Sequence, residues 1–197
     1  LLLTNTNNTY ENAQARMRTL TLFDYANDIG GVVIGTGHYS EEWLGGCTYG
    51  GDNLCVYNPN ANILKTQVLG IIRCLAEDQE LNNLPLKSVL EDILDTPISP
   101  ELIRGGNPNQ KSEDIIGPYL LHAFFICGFL DGWSREKIIY LANRYFDYSE
   151  YEIEKWLEVN VRRFSGSQFK RAMKIPGPQA NLIDTSLDNL PNDLSIV

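Results

Sequence analysis

The stretch that most constrains this chain is Gly35-Thr36-Gly37-His38-Tyr39-Ser40-Glu41, set directly after the β-branched run Val32-Val33-Ile34. A short β-branched run that breaks at glycines reads as a buried strand ending in a tight loop. The glycines let the backbone turn sharply and approach a ligand closely. In open α/β sheets, ligands sit at the carboxyl ends of strands, where such a loop lies. Two readings stay open on these residues alone: a nucleotide loop, or a tight strand-to-helix turn. Upstream, the pattern predicts a helix from Tyr10 to Asp28, with Asn8 as its cap, Glu11 suited to its positive first turn, and Ala13, Met17 and Leu20 as one apolar stripe. Gly30-Gly31 ends that helix. Helix, two glycines, buried strand and glycine-rich loop make one turn of an α/β layer.

Downstream of Glu41 the chain stays glycine-rich to Gly51, an irregular segment of the kind that is usually functional or disordered. Trp43, Tyr49 and Tyr57 argue against disorder. Asn58 to Asn62 is a turn, and a helix starts near Leu64 with Val68, Ile71, Ile72 and Leu75 at core-packing spacing. Lys65 falls in its first turn, where a cation opposes the helix dipole; it is either a solvated surface lysine or a partner for an anion. A short helix is expected over Pro85 to Leu94, an extended segment over Thr96 to Leu102, and a flexible boundary loop at Gly105 to Asn109. The remainder reads as helical. Pro118 starts an almost wholly apolar helix to Leu130, Ser134 caps one to Phe146, and Ser149-x-x-Glu152 is a capping box that opens a third, with Ile153, Trp156, Leu157, Val161 and Phe164 on one face. Arg162, Arg163, Lys170, Arg171 and Lys174 follow with no acid among them. They are either cations complementing a helix C-terminus or a phosphate or carboxylate site. From Gln179 the tail is polar and expected to be poorly ordered unless it docks.

The net charge of −9 makes that cluster informative. An acidic chain lacks the basic footprint of non-specific nucleic-acid binding, so an anionic ligand must be met by a local group of bases. Cys47, Cys55, Cys74 and Cys127 form no Cys-x-x-Cys, and with only His38 and His122 beside them they make no zinc framework. Dispersed cysteines fit a reducing, cytoplasmic setting. The apolar run Ile115–Leu130 is too short for a membrane span, and the stretch Leu1-Leu2-Leu3-Thr4-Asn5 does not have the basic and apolar pattern expected of a signal peptide. The scrap Leu1–Leu3 ahead of a polar loop is an unusual way for a domain to open, and suggests that something upstream is missing.

Glu11-Asn12-Ala13-Gln14-Ala15-Arg16, Gly35-Thr36-Gly37-His38-Tyr39-Ser40-Glu41, Cys47-Thr48-Tyr49-Gly50 and Asn58-Pro59-Asn60-Ala61-Asn62-Ile63-Leu64-Lys65-Thr66 succeed one another in the order of the NAD+ synthetases. Thr96 to Leu102, Gln110 to Tyr119 and Arg162-Arg163-Phe164 with Gln168-Phe169-Lys170-Arg171 extend the likeness. Over residues 9 to 175 the chain resembles the synthetase part of the glutamine-dependent enzymes. The resemblance implies a Rossmann-like, adenine-nucleotide alpha-hydrolase-like α/β layer with a parallel sheet over residues 1–110, a helical region of the same domain over 111–178, and a polar tail over 179–197. It implies amidation of deamido-NAD+ to NAD+ with ATP and Mg2+, through an adenylated carboxylate that ammonia attacks. It also implies homo-oligomers in the full-length protein, while the charge balance and the short apolar run lead to the expectation of no nucleic-acid or membrane partner.

Carried over by resemblance, Thr36 and Lys65 contact ATP, with Ser99 a third ATP contact. Asn12, Arg16, Gly46, Cys47, Thr48, Tyr49 and Lys170 meet deamido-NAD+. Glu41 meets deamido-NAD+ or Mg2+. Two departures stand beside these matches. The family's pyrophosphate loop, Ser-Gly-Gly-x-Asp-Ser, and its glutaminase domain are not found in the sequence. Cys47 and Cys55 lack the Glu and Lys partners of an amidase cysteine. The expectation is thus the C-terminal portion of a glutamine-dependent synthetase, inactive alone. A non-catalytic assembly module and one half of a split synthetase are the alternatives, and another adenylating amidotransferase fits the acceptor residues less well.

Overall fold

The computed structural model describes residues 8–78, 86–98 and 111–178. The expected features at Leu1–Leu3, Ser99, Gly105–Asn109 and the tail from Gln179 lie outside the described residues. Nine helices are described in chain order: α1 (Asn8–Asp28), α2 (Tyr39–Leu44), α3 (Lys65–Glu77), α4 (Leu86–Asp95), α5 (Ser112–Ile116), α6 (Tyr119–Leu130), α7 (Arg135–Tyr145), α8 (Glu150–Gly166) and α9 (Gln168–Arg171).

The helix ends follow local chemistry. Gly30 takes φ 67° after α1, and the Gly31 N–H reaches back to Ala26 O at 2.7 Å, the six-to-one bond of a Schellman end. Ser134 Oγ accepts from Lys137 N, and Ser149 and Glu152 make the reciprocal box. α6 is apolar on every side and is correspondingly buried, from Leu121 to Phe129.

α2 sits at the centre of the core, although it is only six residues long. Its Trp43 is fully buried, with ring centroids 4.1 Å from Phe164 of α8 and 6.4 Å from Phe129 of α6. Tyr39 and Leu44 join it, with Ile138 from α7 and Ile153, Leu157 and Val161 from α8. The glycine loop ahead of α2 is therefore anchored to the helical region through that helix.

Four sequence expectations change. The run Val32–Ile34 is not a buried strand: Val32 is 61% exposed and Ile34 53%. One parallel bridge joins Ile34 to Tyr57, flanked by bonds from Gly35 N to Tyr57 O and from Val56 N to Val33 O. Burial of a β-branched run needs cover on its faces, and the described residues pair it along one edge. On α1, Met17 and Leu20 are exposed, whereas Ala15, Thr19 and Ala26 are buried. A small-residue face lets the backbone of the glycine loop approach closely; a Cβ on Gly51 would stand 3.2 Å from the Ala15 Cβ. Asn8 is itself helical within α1 rather than a cap before it. On α3 the core stripe is only partly realised, since Ile71 and Leu75 stay about half exposed.

Candidate functional site

The glycine loop owes its shape to Asn58, which the sequence reading assigned only to a turn. Asn58 is 4% exposed. Its Nδ2 donates to Gly37 O at 2.9 Å, its Oδ1 accepts from Asn60 N, and its backbone N–H donates to Pro176 O. A side chain at Gly35 would crowd this turn, because a Cβ would stand 2.4 Å from Cys55 Sγ and 3.2 Å from the Asn58 Cβ.

The loop passes into α2 through a reciprocal cap. His38 Nδ1 accepts from Glu41 N at 3.3 Å, and Glu41 Oε2 accepts from His38 N at 3.2 Å. Burial, helped by Lys65, pushes His38 down to about 3. The imidazole is neutral at neutral pH, so its Nε2 at 3.6 Å from Glu41 makes no ion pair there. Ser40 Oγ then accepts from Lys65 N at 3.1 Å. Leu64 offers no side-chain cap to α3, so a hydroxyl borrowed from α2 satisfies an orphan donor at that helix start and sets Lys65 beside the loop.

After α2, Thr48 Oγ1 donates to Asn12 Oδ1 at 2.9 Å and Arg16 Nε donates to Tyr49 O at 3.1 Å, tying this segment to α1. From the far end of the chain, Lys170 Nζ donates to Gly45 O and Cys47 O, at 2.8 and 2.6 Å. Lys174 Nζ reaches Asn62 Oδ1 at 3.1 Å. Arg171 is 5% exposed and lies 3.6 Å over the Phe164 ring. Its Nη1 donates to Ser167 Oγ, while its Nη2 is buried without a hydrogen-bond partner among the described residues. Burial pulls the guanidinium down to about 10, so it stays charged at neutral pH.

These pieces enclose a cavity of about 370 Å³. Thr36, Glu41, Cys47, Lys65 and Lys170 all line it. Asn12, Arg16, Gly46, Thr48 and Tyr49 do not line it; they belong to the α1–loop junction beside it. Residue order singled out none of His38, Glu42 and Asn58 as a ligand contact, yet they stand on its wall, as do Arg171 and Lys174 of the basic cluster, whose density of cations with no acid among them was the available signal. Five bases, Arg18, Lys65, Lys170, Arg171 and Lys174, face three carboxylates, Glu41, Glu42 and Asp52. Burial pushes Glu42 up to about 7, which further weakens the negative side at neutral pH. An electropositive cavity in a chain of net charge −9 is suited to a polyanion.

The same wall offers no activated thiol. Burial and Asp52 push Cys47 up to about 11 against the opposing pull of Lys170, and burial raises Cys55 too. Both remain protonated at neutral pH, and a thiol is a poor nucleophile. Among the described residues no group of three or more His, Cys, Asp or Glu side chains stands together as a metal cage, and no helix is long and apolar enough to cross a membrane.

A family model described as NAD synthase matches residues 3–172. The sequence is 39% identical over 195 residues to the glutamine-dependent NAD(+) synthetase of Mycobacterium bovis, over 88% of this chain and 29% of that protein. This chain thus spans less than a third of the length of that curated relative. Among solved structures, a glutamine-dependent NAD(+) synthetase from Cytophaga hutchinsonii superposes with a TM-score of 0.66 at 19% identity, covering 95% of this chain and 28% of that one. An NMN synthetase from Francisella tularensis gives 0.56 at 27% identity, over 89% of this chain and 56% of that one.

Proposed function

The chain belongs to the NAD synthase family, and from that premise we propose that its cavity is one wall of a site where deamido-NAD+ is amidated to NAD+ at the expense of ATP. The observation that carries the reading is the convergence of Thr36, Glu41, Cys47, Lys65 and Lys170, drawn from separate stretches of sequence, on one electropositive cavity. In the reaction, the nicotinate carboxylate attacks the α-phosphorus of ATP and pyrophosphate leaves. Ammonia then attacks the acylated carbon and AMP leaves.

The residues divide this work by charge. Lys65, held at the start of α3 by Ser40, meets ATP phosphate, which explains a cation at the positive end of a helix. Thr36 lies on the loop beside it. Asn12, Arg16 and Thr48 to Tyr49 form the acceptor side, with Gly46, Cys47 and Lys170 completing it. Arg171 and Lys174 add positive potential behind the phosphates. Glu41 supplies a single carboxylate, and Mg2+ commonly binds through one or two carboxylates plus substrate phosphates, so the residues present fit that ion. When bound, the metal supplies charge neutralisation as pyrophosphate departs. Walls on several sides limit water, which would otherwise hydrolyse the adenylate. Ser99 remains a proposed ATP contact.

In this reading the parallel bridge at Ile34 belongs to a parallel sheet, residues 1–110 and 111–178 are the α/β and helical parts of one synthetase domain, and the element that grips pyrophosphate lies beyond these 197 residues, with ammonia coming from a glutaminase domain. A second reading, that the acceptor is a mononucleotide, is favoured by the likeness to the NMN synthetase.

Titration calorimetry separates them. Deamido-NAD+ is expected to bind at least tenfold more tightly than nicotinate mononucleotide, with Glu41→Gln weakening it tenfold or more. The reverse preference supports the second reading, and binding of neither overturns both. Incubated with ATP, Mg2+, deamido-NAD+ and ammonia, the 197-residue chain is expected to form no NAD+; robust turnover would overturn the assignment of pyrophosphate binding to residues elsewhere.

A further inference from the structure

The segment from Gly45 to Thr48 has little backbone bonding of its own. Within it, the Gly45 and Gly46 N–H groups turn back to Glu41 O. The carbonyls that close α2 point away from those bonds, and a helix C-terminus leaves such groups without intrahelical partners. Here they are met from residues more than a hundred positions away. Arg163 Nε donates to Leu44 O at 2.9 Å, and Lys170 Nζ donates to both Gly45 O and Cys47 O. Cations at a helix C-terminus also complement its partial negative charge.

Between the two cations stands Ser167. Its hydroxyl proton is best directed at Arg163 O, 2.7 Å away, so its 3.4 Å approach to Trp43 O is secondary. Its contribution is shape. Gly45 has φ 64°, and a Cβ there would stand 2.4 Å from the Ser167 Cβ. Arg163 comes from the last turn of α8, Ser167 stands at the break between α8 and α9 with φ −110°, and Lys170 comes from α9, so the three meet the loop from one helix junction. Lys170 carries three N–H donors. With two spent on loop carbonyls, it has one left for a ligand.

We infer that Arg163, Ser167 and Lys170 form a clamp that sets the conformation of the Gly45–Thr48 loop, and that Arg163 is a positioning residue for the acceptor dinucleotide. The second half rests on the proposed function; the first half does not. Arg163 touches no ligand in this scheme. It acts through Leu44 O on the residues that follow.

Cys47 reports on the loop from within. The experiment uses the full chain and the variants Arg163→Met, Arg163→Lys and Lys170→Met. Iodoacetamide modification is followed cysteine by cysteine by mass spectrometry, with Cys127 of α6 as the core control and thermal melts alongside. Alkylation of Cys47 is expected to rise at least tenfold in Arg163→Met and Lys170→Met, with Cys127 changing less than twofold and Arg163→Lys recovering most of the protection. Loss of Lys170 by itself would raise the Cys47 pKa and slow alkylation, so faster alkylation reads loop opening. An unchanged Cys47 rate, or Cys47 and Cys127 rising together, overturns the clamp. If Arg163→Met does not fold, Lys170→Met and Arg163→Lys carry the same comparison. Deamido-NAD+ affinity is then measured on the same proteins. A tenfold loss in Arg163→Met with ATP affinity unchanged supports the positioning role, and an opened loop with unaltered deamido-NAD+ affinity overturns it. If the wild-type chain binds no deamido-NAD+, the proposed function falls, while the Cys47 rates still decide the clamp.

Discussion

Asn160 offers a test in which the sign of a pH effect reverses. It is fully buried on α8 and lies between Trp43 and His122. Its Oδ1 accepts from Trp43 Nε1 at 2.9 Å, and its Nδ2 is 3.0 Å from His122 Nδ1. An indole N–H can only donate, so the amide orientation is fixed. The amide nitrogen must then face His122, whose Nδ1 must accept. The imidazole proton therefore sits on Nε2, where it meets Ile116 O at 2.6 Å. Each link follows from the one before it.

Burial pushes His122 down to about 4. The folded state thus binds its proton less readily than the unfolded chain, whose histidine titrates near 6.5. Stability from this group is complete above that value and is lost as pH falls toward 4. Between pH 7.5 and pH 5 the contribution of His122 alone is expected to fall by roughly 2 kcal/mol.

Asn160→Asp replaces the donor facing Nδ1 with an acceptor. At pH 7.5 a buried carboxylate then faces a lone pair, at a cost of about 3 kcal/mol or more. The remedy is protonation of His122, which lets Nδ1–H donate to the introduced carboxylate. The folded pKa of His122 is now raised, so its stabilising contribution is present below the unfolded value and lost as pH rises. The deficit of the variant relative to wild type is expected to shrink by about 2 kcal/mol or more from pH 7.5 to pH 5. Asn160→Leu, which removes both partners, is expected to show no such recovery. Urea midpoints at the two pH values measure this directly. A deficit for Asn160→Asp that stays constant or widens on acidification would refute this hydrogen-bond polarity.

Gly45→Ala combines a left-handed backbone with a collision at Ser167, and thermal melts are expected to show a loss of roughly 2–4 kcal/mol. Ser149→Ala removes the cap of α8; a loss of about 1 kcal/mol, read as a fall in Tm of about 2–4 °C, is expected, and an unchanged melt would contradict the box. Lys65→Met removes a cation from the positive end of α3, so Tm is expected to rise by about 1–2 °C while ATP affinity falls at least tenfold by calorimetry. Equal or tighter ATP binding would exclude Lys65 from the phosphate site.

Much of the helical framework could be read directly from residue order. Caps at Ser134 and Ser149, the glycine stop after α1 and the wholly apolar α6 are local effects, decided within a few residues by hydrogen-bond geometry and side-chain spacing. The ordered succession of motifs also identified the family; of the residues it singled out, Thr36, Glu41, Cys47, Lys65 and Lys170 line one cavity, while Asn12, Arg16, Gly46, Thr48 and Tyr49 do not. What residue order could not decide was which groups meet across the chain. The β-branched run before Gly35 looked buried, but burial depends on neighbours that no local pattern specifies. Asn58 looked like a turn residue, and its grip on Gly37 exists only because the chain returns there. Lys65 needed the Ser40 hydroxyl to fix its helix start. Arg163 and Lys170 read either as cations complementing a helix end or as an anion site; their hydrogen bonds go to carbonyls at and just after the end of α2, 119 to 125 positions away, which only tertiary packing brings to them.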